Sequence, residues 1–222
     1  MLLAIETTDR GGSVALARGE RMVELHYEES DRNHSSRLMV VIDRILEKHG
    51  VDYEQLEQVA VATGPGSFTG IRLGVTTAKT LALACEAELV AASSLRLQVE
   101  FARGRQVDVE SVIDARRGEL YRQRFSVQDE RIEATNRPQL ITPGNLKEEL
   151  EGEEDLLIIY RDRSWEPDPE SWPGGVKFYP PPLNRPLAAA LVSFAQKEGE
   201  TVASEKVKPL YVRRSDAQRA KG

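Results

Sequence analysis

One acidic residue closes the first expected strand of each half of this chain. Glu6 follows Leu2-Leu3-Ala4-Ile5, and Asp114 follows the stretch from Val107 to Ile113. A carboxylate at a strand end can orient a metal ion or an attacking hydroxyl. Between them lies Gly64-Pro65-Gly66-Ser67-Phe68-Thr69-Gly70, where glycine and proline density fixes a turn. Backbone N–H groups in a strand–loop–helix turn can face an anion at the positive end of the helix dipole. A tight structural turn uses the same residues, and the loop alone leaves both readings open. Acids and loop together would suit a nucleotide-hydrolysing enzyme of the actin–sugar-kinase type, with Glu6 and Thr7 in one half and Asp114 and Arg116 in the other. Against that reading, no lysine follows the loop in the Gly-x-x-x-x-Gly-Lys-Ser/Thr spacing, and the turn of the short first hairpin carries Arg10.

Other chemistries find less support. The histidines are His26, His34 and His49, and four residues past His34 stands Leu38, so no His-x-x-x-His metal pair exists. Ser67 is not in a Gly-x-Ser-x-Gly elbow and has no histidine near it in sequence, so a protease lacks its nucleophile–base pair. Cys85 is the only cysteine; inside Leu81-Ala82-Leu83-Ala84-Cys85 it reads as a small core residue, and a chain with no possible internal disulfide fits a reducing cytoplasm.

The elements that would position these groups alternate between strand and helix, which predicts an α/β class. Strands are expected at Leu2–Ile5, Ser13–Ala17 and Val23–Glu28, then at Val59–Thr63 and Glu88–Ala92. In the third, Val23, Leu25 and Tyr27 alternate with Glu24, His26 and Glu28, placing His26 on the exposed side. A helix capped by Asn33 or Ser35 runs to about His49. Met39 and Val40 lie off its main apolar face, so its apolar sector is wider than one packing contact needs. In the helix after the loop, capped by Ser67 or Thr69, Gly70, Gly74, Ala78 and Ala82 recur every four residues and would admit another helix closely. The second half opens with a matching pair of strands around Ala115-Arg116-Arg117-Gly118. It continues with a helix after Thr142-Pro143, an apolar strand at Leu156–Tyr160, an irregular stretch from 161 to 186, and a last helix opened by Pro186. The expected division is 1–104 and 105–222.

Composition narrows the partners. The chain has 222 residues and a net charge of -6. An acidic protein neutralises nucleic-acid phosphates poorly, so tRNA contact is expected only indirectly. Arg213, Arg214, Arg219 and Lys221 form a basic tail that reads as a solvated terminus. No run approaches a membrane span, and the N-terminus lacks the positive region of a signal peptide.

The loop with Ile71-Arg72-Leu73-Gly74 resembles the fingerprint of the TsaB (YeaZ) family, an accessory subunit in bacterial synthesis of N6-threonylcarbamoyladenosine in tRNA. Leu3-Ala4-Ile5-Glu6-Thr7-Thr8 with Ser13-Val14-Ala15-Leu16, Asp114-Ala115-Arg116 with Glu119 and Tyr121, and Pro209-Leu210-Tyr211-Val212-Arg213 match in order. The family usually has Asp where Glu6 stands. The resemblance implies an actin-like (ASKHA) fold of two ribonuclease-H-like halves in a cytoplasmic, non-catalytic subunit. Its implied partners are the catalytic paralogue TsaD and the ATPase TsaE, with a homodimer when it is alone. It implies no intrinsic cofactor or metal; ATP or ADP would bind, if at all, in the assembled complex. The implied interface lies on the first two helices, at Leu38, Met39, Ile42, Ile45, Leu46, Arg72, Leu73, Gly74, Thr77, Ala78 and Leu81.

Overall fold

Each predicted opening strand becomes the central strand of its own sheet. The computed structural model describes residues 1–8, 11–29, 34–160, 165, 167–179 and 186–213. The chain forms two units, 1–97 with 183–210 and 98–182 with 211–222.

In unit 1, β1 (Leu2–Glu6), β2 (Gly11–Arg18) and β3 (Arg21–Glu29) form an antiparallel meander. Then α1 (His34–Lys48) leads to β4 (Gln58–Ala62), and α2 (Phe68–Ala84) leads to β5 (Glu88–Ala92). The sheet order is β3-β2-β1-β4-β5, with β4 parallel to both β1 and β5. Side chains alternate across a strand. Leu3, Ile5, Val14, Leu16, Val59 and Val61 therefore share one face and meet Ile42, Ile45, Leu46, Ile71, Val75 and Ala78 from α1 and α2 in one core. A short helix, α3 (Ser94–Val99), follows β5, with Ser93 Oγ accepting from Arg96 N.

Unit 2 repeats this connectivity. β6 (Arg105–Asp114), β7 (Leu120–Asp129) and β8 (Arg131–Ala134) are antiparallel, and β10 (Leu156–Tyr160) and β11 (Val176–Tyr179) add in parallel. They give the order β11-β10-β6-β7-β8. β9 (Gln139–Ile141) pairs with β7, and α4 (Pro143–Glu149) follows it, capped by Thr142 Oγ1 accepting from Asn145 N. Leu146 and Leu150 at this helix close a core with Val112, Leu120, Leu156 and Ile158. Where unit 1 has α2, the described residues between β10 and β11 hold one short turn, Pro169–Ser171. Trp165, Trp172, Phe178 and Tyr160 pack edge to face there.

The expected division at residue 104 needs correcting. The final helix, α5 (Leu187–Lys197), belongs to unit 1, where Leu187, Ala188, Ala190 and Leu191 are buried and the helix packs on β1, β2 and β4. Its apolar face supplies the second cover of a sheet that α1 and α2 leave bare on one side. The strands β8, β9 and β11 were not anticipated. His26 is also corrected. It lies opposite Val14, whose side chain faces α1, so His26 is half-buried and lines a cavity of about 30 Å3 with Thr7, Leu38 and Val41. Its Nε2 has no hydrogen-bond partner among the described residues. Asn33, the Asp9-Arg10 turn and the tail residues Arg214, Arg219 and Lys221 lie outside the described residues.

Candidate functional site

The glycine loop is built around the end of β1. A Cβ on Gly66 would stand 2.1 Å from Thr8 O, one on Gly70 1.8 Å from Thr7 O, and one on Gly74 2.3 Å from Thr7 Oγ1. Hydrogen bonds close the same contact. Ser67 N donates to Thr8 O at 2.6 Å, and Thr7 Oγ1 donates to Gly70 O at 2.7 Å. Ser67 caps α2 by accepting from Gly70 N, and Ser94 N donates to Gly64 O at 2.7 Å. Gly64, with φ +98°, lets Leu210 approach from the C-terminal segment, where Leu210 N donates to Thr63 O. The N–H groups of Ser67 and Gly70 are thus turned onto the protein itself. The small ridge of α2 is likewise corrected: Gly70 and Gly74 admit a strand end, not another helix.

Glu6, at the other side of that strand end, is fully buried. Its Oε1 accepts from Thr8 N and Thr8 Oγ1, both at 2.7 Å, and its Oε2 accepts from Ser13 Oγ at 3.1 Å. Ser13 Oγ in turn accepts from Ala188 N at the start of α5, and Ser94 Oγ donates to Thr8 Oγ1. A carboxylate satisfied this way pins β1, β2, α3 and α5 together. In unit 2, Asp114 Oδ1 accepts from Arg116 N at 2.7 Å and so shapes the β6–β7 hairpin. Glu6 with Thr7, and Asp114 with Arg116, are each engaged locally within their own unit.

The two-helix face divides the residues expected there. Leu38, Ile42, Ile45, Leu46, Gly74, Ala78 and Leu81 are buried in the core of unit 1, because they are the inward stripe that α1 and α2 need to cover the sheet. Met39 and Arg72 are exposed, and Leu73 and Thr77 are half-buried. The outward apolar groups are Met39 at 40% exposure, Val40 at 53%, Phe68 at 47% and Leu83 at 79%. The Arg72 guanidinium lies 3.9 Å from the Phe68 ring centroid. Along α2, Thr69, Leu73, Thr76, Thr80 and Leu83 follow a spacing of four and three residues with no charge among them. These residues line one side of the helix. Sequence reading put Val40 off the main face and did not single out Leu83.

A buried charge cluster in unit 2 was also missed. Glu110 is fully buried on β6, with Arg122 Nε 3.1 Å from its Oε1; Arg122 also reaches Glu149 of α4, and Arg124 bonds Glu153. Burial pushes the Glu110 carboxyl up to about 7, against the pull of Arg122 and Arg124. Among the described residues no group of His, Cys, Asp and Glu could hold a metal ion, and no helix is long and apolar enough to cross a membrane.

Comparison with known proteins accords with this architecture. Residues 25–157, more than half of the chain, match the family model described as TsaD, tRNA N6-adenosine threonylcarbamoyltransferase. The chain is 29% identical to the tRNA threonylcarbamoyladenosine biosynthesis protein TsaB of Escherichia coli, over 97% of this chain and 96% of that protein. It is 37% identical to TsaB of Bacillus subtilis, over 54% of this chain and 52% of that one, so this alignment spans about half of each. A solved structure from Pseudomonas aeruginosa, described as an uncharacterized protein with similarity to peptidase YEAZ, superposes with TM-score 0.76. It covers 96% of this chain and 99% of its own, at 26% identity. The fold is α/β and actin-like, and the chain belongs to the threonylcarbamoyltransferase family in its TsaB (YeaZ) branch.

Proposed function

We propose that this chain is a non-catalytic docking subunit in the synthesis of threonylcarbamoyladenosine in tRNA. It would pair with its transferase paralogue, TsaD, hold that partner in an active form, and work alongside the ATPase TsaE. The observation that carries this reading is the outward face of α1 and α2, where Met39, Val40, Phe68 and Leu83 stay exposed although the inward face is already packed. Exposed apolar groups gathered on one face mark an interaction surface. The local engagement of Glu6 by Thr8 and Ser13 supports a structural role for that carboxylate and weighs against the nucleotide-hydrolase alternative. When the paralogue is absent, the same face would cover itself in a homodimer.

The test mixes the purified chain with the paralogue and measures mass in solution, affinity and tRNA modification. Met39→Asp and Leu83→Asp place a charge on the face without entering the core. Each is expected to weaken pairing at least tenfold, as loss of a desolvated contact near an interface centre does, and to lower modification in step. Unchanged affinity in both aspartate variants would sink the proposal.

A further inference from the structure

We propose that α4 is a pH-operated cover on the sheet of unit 2, latched by an arginine for which a buried carboxylate beneath the helix competes. That carboxylate is Glu110, fully buried on β6. It shares its side of the sheet with Val112, two residues on, and pairs in register with Ile158 of β10. Val112 and Ile158 both belong to the core that Leu146 and Leu150 close from the helix. Neither Glu110 oxygen accepts a hydrogen bond among the described residues. Arg122 Nε lies 3.1 Å from Oε1 without the alignment of a hydrogen bond, and it too is unmatched there. An ionised carboxylate held in this way recovers little of the water it gives up.

Four carboxylates share two guanidinium groups here. Asp108 flanks Glu110 on β6, Arg122 and Arg124 face it from β7, Glu149 ends α4, and Glu153 lies in the turn after the helix; Ile158 stands opposite on β10. Glu153 takes Arg124 in a two-pronged pair at 2.5 and 2.8 Å, with Asp108 3.3 Å from the same guanidinium. Glu149 takes Arg122 Nη1. With Glu110 protonated, both arginines are thus committed to the carboxylates at the end of α4. With Glu110 ionised, its close counter-charge among the described residues is Arg122, the group that also holds Glu149. Glu149 depends on that arginine, because a negative charge at a helix C-terminus opposes the dipole. The helix has seven residues, too few to stay helical without docking. Ionisation of Glu110 therefore loosens the latch, and opening of α4 returns the carboxylate to water. Burial pushes Glu110 up to about 7, against the pull of Arg122 and Arg124. The closed cover keeps its full advantage below the ordinary 4.5 and loses it as pH rises through about 7. None of this depends on the docking face of α1 and α2.

The test is hydrogen exchange of the full chain at pH 6 and pH 8, corrected for the intrinsic rate and read on the amides of Leu146 and Leu150, which donate to Thr142 O and Leu146 O. With Glu110 at about 7 when covered and 4.5 when open, the open population grows about tenfold between these pH values. Protection of α4 is expected to fall by that factor in wild type while the strands β6 and β7 keep theirs. Glu110→Gln, which cannot ionise, is expected to show no fall. Glu149→Gln leaves Arg122 to Glu110; it is expected to lower protection at both pH values and to shrink the fall between them. Unchanged protection in wild type, or an equal fall in wild type and Glu110→Gln, overturns the cover. So does an equal loss in β6 and β7, which would make the opening global. Should Glu110→Gln not fold, Glu149→Gln, whose side chain is 55% exposed, decides alone: a fall as large as that of wild type overturns the proposal.

Discussion

Gly74→Ala tests whether the small ridge of α2 serves the strand end or a partner. The substitution should gain about 1 kcal/mol, because alanine favours a helix interior more than glycine does. The geometry opposes this gain. The new Cβ would lie 2.3 Å from Thr7 Oγ1, and that hydroxyl is held by its 2.7 Å bond to Gly70 O. An atom forced into a packed site costs about 1–3 kcal/mol, and turning the hydroxyl away forfeits a hydrogen bond of about 1 kcal/mol. The net expectation is a loss of about 2 kcal/mol. In a Thr7→Ala background the obstacle is gone. The same Cβ is 3.6 Å from the Cβ of residue 7 and 3.8 Å from Val61 Cγ2, both ordinary contacts. There Gly74→Ala should stabilise by up to about 1 kcal/mol, so the pair is coupled by about 3 kcal/mol with a change of sign. Urea unfolding of wild type, both single variants and the double variant gives the four stabilities. An equal effect in both backgrounds, or a neutral Gly74→Ala with weakened paralogue binding, would refute the reasoning and return the ridge to an interface.

Two further outcomes follow from the buried carboxylates. Glu110 has its folded value raised to about 7, above the ordinary 4.5. The protonated form is therefore favoured in the folded state, and its contribution is full below about pH 4.5 and lost as pH rises through about 7. At about 1.36 kcal/mol per unit, wild type should lose on the order of 3 kcal/mol relative to Glu110→Gln between pH 4.5 and pH 8. Parallel stability curves for the two proteins would contradict this. For Glu6, Mg-ATP added to the isolated chain in a calorimeter should give no micromolar binding and no turnover. Glu6→Gln should instead show its effect as lower stability, from the weakened bonds to Thr8 and Ser13. Turnover abolished by Asp114→Ala would restore the enzyme reading.

Much of the fold is legible because its cues are local. The acid-terminated openings at Glu6 and Asp114 do start two sheets of matching main strand order, and Ser67 and Thr142 cap the helices expected of them. What escaped depends on distant partners. Val176–Tyr179 gains its strand character only by pairing with β10, and its flanking prolines hide it. The return of α5 to unit 1 is set by an uncovered sheet face, which no neighbouring residue announces. His26 follows the register imposed by Val14, with a bulge at Leu16/Ala17 that alternation along β3 alone does not reveal. Most of the residues expected at an interface on α1 and α2 lie on the inward stripe that packs on the sheet. Hydrophobicity marks both stripes, and only the position of the sheet tells which one is spent.

The duplicated connectivity has a consequence for assembly. Two matching sheets in one chain invite two equivalent adhesive faces, and a subunit with two such faces can grow without limit. Among the described residues, however, only unit 1 sets a long helix beside α1, while the corresponding place in unit 2 holds one short turn and a cluster of aromatic rings. On the function proposed above, association through α1 and α2 would be single-valued: it would end in a closed pair, with a second copy or with the paralogue, and the two pairings would compete for one patch. The concentration of free subunit would thereby become a quantity the cell can use to set how much paralogue is engaged.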